Sequence, residues 1–113
     1  TDELDRRVDA LIRSRGGKPL FLGYRGFPRC ICASVNEEVV HGIPGPRKLK
    51  DGDILSIDVG VQFRKYCADA AVTVAIGQIS EEAQRLMDVT REALYEALNV
   101  ARSGTKLSHV CGT

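Results

Sequence analysis

The chain has no apolar run approaching the roughly 18 residues that a bilayer-spanning helix requires. Residues 1–17 are charged throughout and lack the apolar core of a secretory signal, which predicts a cytoplasmic location. Neither sign of charge dominates. Sixteen basic residues stand against 15 acidic ones, for a net charge of +1. A general nucleic-acid binder carries a clear basic excess, so that class is excluded as a direct function. Four cysteines, Cys30, Cys32, Cys67 and Cys111, are too few for a secreted disulfide scaffold. Their C-x-C spacing is not that of a structural zinc site, and free, mostly buried thiols are expected. The sequence also lacks internal repeats and low-complexity segments.

What is present describes a folded domain. The 113 residues are 43% hydrophobic, too apolar for a disordered chain. A chain of this length buries about 65% of its unfolded surface. Charge is uneven along it. Residues 1–50 hold 10 basic and 6 acidic residues, and residues 51–113 hold 6 and 9. All four prolines lie between Pro19 and Pro46.

Hydrophobic spacing predicts the elements. Leu4, Val8, Leu11 and Ile12 recur at helical intervals until Gly16-Gly17 stops the run. Residues 30–36 read as a short strand, and Val39-Val40 as another extended piece. His41-Gly-Ile-Pro-Gly-Pro46 is a stiff loop, because proline fixes φ and removes a donor. Asp51-Gly52-Asp53 is a turn. Residues 54–63 and 67–76 alternate with period two and form two strands. A helix over 81–103 is capped by Ser80 and closed by Gly104. Its buried stripe is Ala83, Leu86, Met87, Leu94, Ala97, Leu98 and Ala101. Residues 105–113 read as the start of a further element, cut short. His109 is a surface or helix-start residue.

The two strands each carry one aspartate on the less apolar face. A tight hairpin that sets Asp58 opposite Asp69 also sets Gly60 opposite Cys67 and Gln62 opposite Lys65, with Phe63-Arg64 as the loop. Two ionised carboxylates at cross-strand distance repel. They are relieved by a shared proton, by a basic side chain between them, or by a bridging divalent metal. The plain alternative is a pair of solvent-facing aspartates. His41 precedes a rigid segment able to hold an imidazole at a fixed point, as a catalytic site requires.

These segments together resemble the type I methionine aminopeptidases. The resemblance runs over residues 23–104. It is carried by Gly23-Tyr-Arg-Gly-Phe-Pro28, Ile31-Cys-Ala-Ser-Val-Asn-Glu-Glu-Val-Val-His-Gly-Ile-Pro44, Leu49-Lys-Asp-Gly-Asp-Ile-Leu-Ser-Ile-Asp-Val59 and the aspartate of Cys67-Ala-Asp-Ala70. It implies an α+β pita-bread fold, an antiparallel sheet backed by helices, with residues 1–113 as the N-terminal half of a catalytic domain and the second half absent. It implies two divalent ions (Co, Mn, Fe or Zn) held by Asp58 and Asp69, with one histidine and two glutamates supplied from beyond Thr113. His41 matches the histidine that contacts substrate at the scissile amide. Tyr24, Phe27 and Cys32 match the walls of the methionine pocket, and Phe21 is a further candidate wall.

The implied activity is hydrolytic removal of the N-terminal methionine from nascent polypeptides. The ribosome is a candidate partner, with no membrane or direct nucleic-acid role. Ala68 and Ala70 flank Asp69 where the family has glycine and a hydroxyl residue, and Gly60 stands where threonine is common. The lost hydroxyls put metal affinity and rate in question. The alternative is a shortened or decayed half that binds peptides or dimerises without hydrolysis. A peptidase with another N-terminal preference is a weaker option, disfavoured by His41-Gly-Ile-Pro44. The 113 residues alone are expected not to hydrolyse peptides.

Overall fold

The computed structural model describes residues 1–112. They form two compact units, 1–79 and 80 onward. The first unit is an antiparallel sheet with one helix. Helix α1 spans Asp2–Ser14, strand β1 Lys18–Pro19, β2 Ile31–Val35, β3 Ile54–Phe63 and β4 Tyr66–Ala75. Strand β3 is the hub. β4 pairs with its whole length on one edge, while β2 pairs with Leu55–Val59 and β1 with Val61–Gln62 on the other.

The face opposite α1's charges makes the core. Leu4 and Val8 pack on the cluster of Cys30, Ile31, Ala33, Val35 and Leu55. Ile12 continues this line and is buried. Leu11, which the helical spacing grouped with them, is 54% exposed, so the true stripe is the narrower i, i+4, i+8 one. On the solvent side Arg7 binds Glu3 at 2.8 Å and Arg13 binds Asp9 at 2.9 Å. Gly16 takes φ 75° and ends the helix as expected.

One helix residue reaches inward. Asp5 is buried and accepts hydrogen bonds from the Cys30 N–H at 2.9 Å and the Ile31 N–H at 3.1 Å. The Cys30 thiol donates to the Asp5 carbonyl at 3.1 Å. Arg29 lies beside the same carboxylate at 3.8 Å and binds Asp2 at 2.8 Å. Burial, then Asp5, pushes the Cys30 thiol up to about 12. Asp5 thereby joins α1 to the start of β2.

Residues 39–40 lie outside any strand, and Val39 is 85% exposed. The expected turn at 51–53 is present. Gly52 takes φ 94°, Asp53 accepts from the Lys50 N–H at 2.9 Å, and Asp51 accepts from the Gln78 N–H at 3.1 Å. All four cysteines are free, but only Cys30 and Cys32 are buried; Cys67 and Cys111 are exposed.

The second unit contains α2, Glu81–Val100, and α3, Leu107–Cys111. Ser80 caps α2, accepting from the Ala83 N–H at 3.1 Å. The helix stops three residues short of the expected end, at an extended Ala101, and Gly104 lies in the loop beyond. None of its residues is buried, and Leu86, Leu94 and Leu98 of the expected stripe are more than half exposed. Residues 107–111 of the expected further element are helical, and Thr113 lies outside the described residues. Among the described residues no helix is long and apolar enough to cross a membrane.

Replacing Asp5 by alanine strands two buried backbone donors. Asp5→Ala is expected to lower unfolding stability by on the order of 3 kcal/mol, with Asp5→Asn, which keeps an acceptor, losing less. Urea titration followed by circular dichroism measures both.

Candidate active site

The cleft face of the sheet is assembled by register. Cys32 on β2 pairs with Asp58 on β3, and Asp69 on β4 pairs with Gly60. Asp58 itself pairs with Ala71, so the aspartates are diagonal neighbours and not directly opposed. The expected register is therefore two residues off. Gln62 pairs with Cys67, and the loop is Arg64-Lys65, with Arg64 at φ 57°. A shift of two leaves every side chain on its face, so both carboxylates still share one side. Diagonal neighbours are about 7 to 8 Å apart, with their Cβ atoms somewhat closer, which is room that directly opposed residues lack.

Two loops close the cleft. Leu20 N–H donates to the Gly60 carbonyl at 2.9 Å, which leads Phe21 over the sheet. A 3-10 turn at Tyr24–Gly26 follows, closed by Gly23 N–H to Phe27 O at 2.8 Å and Phe27 N–H to Tyr24 O at 2.9 Å. The second loop docks on the outer edge of β2. Ala33 N–H donates to the Gly42 carbonyl at 2.8 Å, and Gly42 N–H donates to Ser34 Oγ at 3.0 Å. His41, next in line, is held at φ 60°, a conformation that costs free energy for a residue with a side chain. Pro44 beyond it is buried.

Together these elements line a cleft of about 560 Å³. Its lining brings together the polar side chains of Asp58, Asp69, Cys32 and His41 and the aromatic rings of Phe21, Tyr24 and Phe27. All seven residues singled out in the sequence thus meet in one place. Arg25 and Ile43 also line the cleft and were not singled out. Arg25 sits over the Tyr24 ring, 5.5 Å from its centroid, and Ile43 is 60% exposed. Both stand inside motif segments, and adjacency to Tyr24 and to His41-Gly42 was the available signal. The other histidine, His109, is exposed on α3.

The carboxylate pair is electrostatically unbalanced. Asp58 Oδ1 is buried with no hydrogen-bond partner. Burial raises the Asp58 carboxyl above the usual range, and neighbouring Asp69 raises it further, while His41 opposes the shift. Burial, then Asp58 and Asp69, also raises the Cys32 thiol. An orphaned carboxylate oxygen beside a second carboxylate fits a divalent cation, which satisfies hard oxygen donors and cancels their repulsion. The fit is partial. Among the described residues no group of three or more His, Cys, Asp or Glu is placed to hold a metal ion.

The fold defines a class. The profile of metallopeptidase family M24 matches residues 1–112, and the chain belongs to that family. Its sheet and helices are the pita-bread arrangement. Among individual relatives, methionine aminopeptidase 1 of Bacillus subtilis is 49% identical over 110 residues, covering 97% of this chain and 44% of the relative. The crystal structure of methionine aminopeptidase from Thermotoga maritima superposes with a TM-score of 0.85 at 40% identity, covering 88% of this chain and 41% of that one. An Escherichia coli aminopeptidase P variant shares the fold, with a TM-score of 0.79 at 20% identity over 97% of this chain and 24% of that one. The chain thus spans less than half the length of the curated methionine aminopeptidase from Bacillus.

The docked loop gives a direct test of how His41 is held. A Cβ on Gly42 collides with the Ala33 carbonyl and comes within 2.8 Å of Ser34 Cα, backbone that cannot yield. Gly42→Ala is expected to lift the loop from β2, at about 1 to 3 kcal/mol, and to accelerate hydrogen exchange at the Ala33 amide. Nuclear magnetic resonance reads both the exchange and the displacement of His41.

Proposed function

We propose that this chain carries the substrate pocket and part of the metal site of a methionine aminopeptidase, removing N-terminal methionine from new polypeptides. The observation that carries the reading is the partnerless Asp58 oxygen beside Asp69 on the floor of a cleft with one aromatic side. Asp58 and Asp69 would hold divalent ions of the Co, Mn, Fe or Zn kind. Such ions, when bound, supply the Lewis acidity that makes a water nucleophilic at neutral pH.

The chain's own residues do the rest of the positioning. Phe21, Tyr24, Phe27 and Cys32 present an apolar, polarizable surface suited to a thioether. They hold the methionine side chain so that its amide lies toward the carboxylate end. His41, whose loop is fixed on β2 by the Gly42 contacts, would donate to the scissile amide as its nitrogen becomes a leaving amine. The remaining ligands, one histidine and two glutamates, and the glutamate base come from outside these residues. The 113 residues alone do not hydrolyse peptides on this account. The cytoplasm is the proposed location and the ribosome a proposed partner.

A second reading keeps the pocket without the reaction, as a peptide-binding or dimerising half. Ala68 and Ala70, which offer Asp69 no neighbouring hydroxyl, favour it. Metal-dependent release of methionine from Met-Gly or Met-Ala peptides separates the two.

Asp58→Asn is the sharpest variant. In the protein as its own host makes it, turnover at saturating Mn²⁺ is expected to vanish. The metal-free melting temperature is expected to hold or rise, because a neutral amide removes a charge that burial and Asp69 both disfavour. Retained turnover contradicts the ligand assignment.

A further inference from the structure

Gly60 is buried on the cleft side of β3, opposite Asp69. Its φ lies outside the left-handed region that calls for glycine. The backbone there would accept any residue, so the absence of a side chain answers a need for space. The occupant of that space is the Phe21 ring. A Cβ built on Gly60 falls 2.6 Å from Phe21 Cε1 and 3.1 Å from both Cδ1 and Cζ. Carbon atoms do not approach that closely, so the ring fills the volume of any side chain at position 60.

The ring's place is set from two directions. The Leu20 N–H bond to the Gly60 carbonyl, at 2.9 Å, fixes the backbone one residue before it. The bare α-carbon of Gly60 lets it rest on the sheet. The same ring lines the cleft beside Tyr24 and Phe27. We propose that Gly60 is a specificity-determining position: by seating Phe21 against β3 it sets the depth of the aromatic side of the cleft, and so the length of the first side chain admitted. This rests on the peptidase reading above and adds to it the residue that sizes the pocket.

A methyl group at position 60 removes the seat. With β3 beneath it, the ring is displaced toward the cleft, which becomes shallower. A long unbranched side chain loses more from this than one shorter by an atom. The test compares kcat/KM for Met-Ala-Ser and its norvaline counterpart, in the protein as its own host makes it and in three variants.

Gly60→Ala is expected to lower the preference for methionine by about 10-fold, the worth of a methylene-sized change in a hydrophobic pocket. Adding Phe21→Leu to Gly60→Ala is expected to restore most of it. Phe21→Leu alone, which leaves β3 untouched and deepens the cleft, is expected to raise the preference for methionine over norvaline; it keeps the proposal testable if Gly60→Ala does not fold, and an unchanged preference overturns it. Equal loss on both peptides in Gly60→Ala, or no recovery in the double variant, overturns the proposal while leaving the peptidase reading intact. Hydrolysis of neither peptide by the unchanged protein overturns the peptidase reading, and this inference with it.

Discussion

Strand β3 is hydrogen-bonded along both edges, and each wall of the cleft takes its position from what β3 pairs with. Its pairing with β2 puts Cys32 beside Asp58, and its pairing with β4 puts Asp69 across from Gly60. Its Gly60 carbonyl holds the segment that carries Phe21. The His41 loop is attached one strand away, through Ala33 and Ser34 of β2. A sheet of this kind has little freedom to slide, because one face is packed. Leu55 of β3 is buried against Ile31, Ala33 and Val35, and α1 covers the cluster with Leu4 and Val8. A slip of one residue would reverse the faces and put Asp58 in the core.

The chemistry follows from what that scaffold forces together. One oxygen of the half-buried Asp58 is brought out of water and left unpaired, next to a second carboxylate. Such an arrangement is unfavourable for the bare chain, since buried polar atoms normally have partners. It makes sense where a cation completes it. The same cleft carries three aromatic residues, Phe21, Tyr24 and Phe27, with Arg25 over the Tyr24 ring.

Much of this was legible in the residues, and the failures are instructive. Alternation in β3 and β4 identifies the shared face of Asp58 and Asp69, because the side-chain period is two. It is blind to register, since a shift of two residues preserves every face. The connecting Phe63-Arg-Lys-Tyr66 contains none of the glycine or asparagine that would mark a turn. Asp5 escaped notice for a different reason. Acidic residues in the first turn of a helix are explained by the helix dipole alone, and nothing local distinguishes the one that turns inward to bind Cys30 and Ile31. The room that Gly60 leaves is equally invisible, because it depends on a ring 39 positions earlier in the chain. The motif segments bring their residues together as a set, while the glycine contacts that fix Phe21 and His41 exist only in the folded chain.

The divalent-ion site proposed for Asp58 and Asp69 at the floor of the cleft is open to direct measurement. Manganese is paramagnetic and broadens amide resonances near where it binds, even when binding is weak. Titrating Mn²⁺ into the isotope-labelled chain is expected to broaden Asp58, Asp69, Cys32 and His41 first. It is expected to leave the exposed acidic residues of α1 sharp at the same concentration. Broadening confined to α1 or α2, with the cleft residues unchanged, would contradict the account.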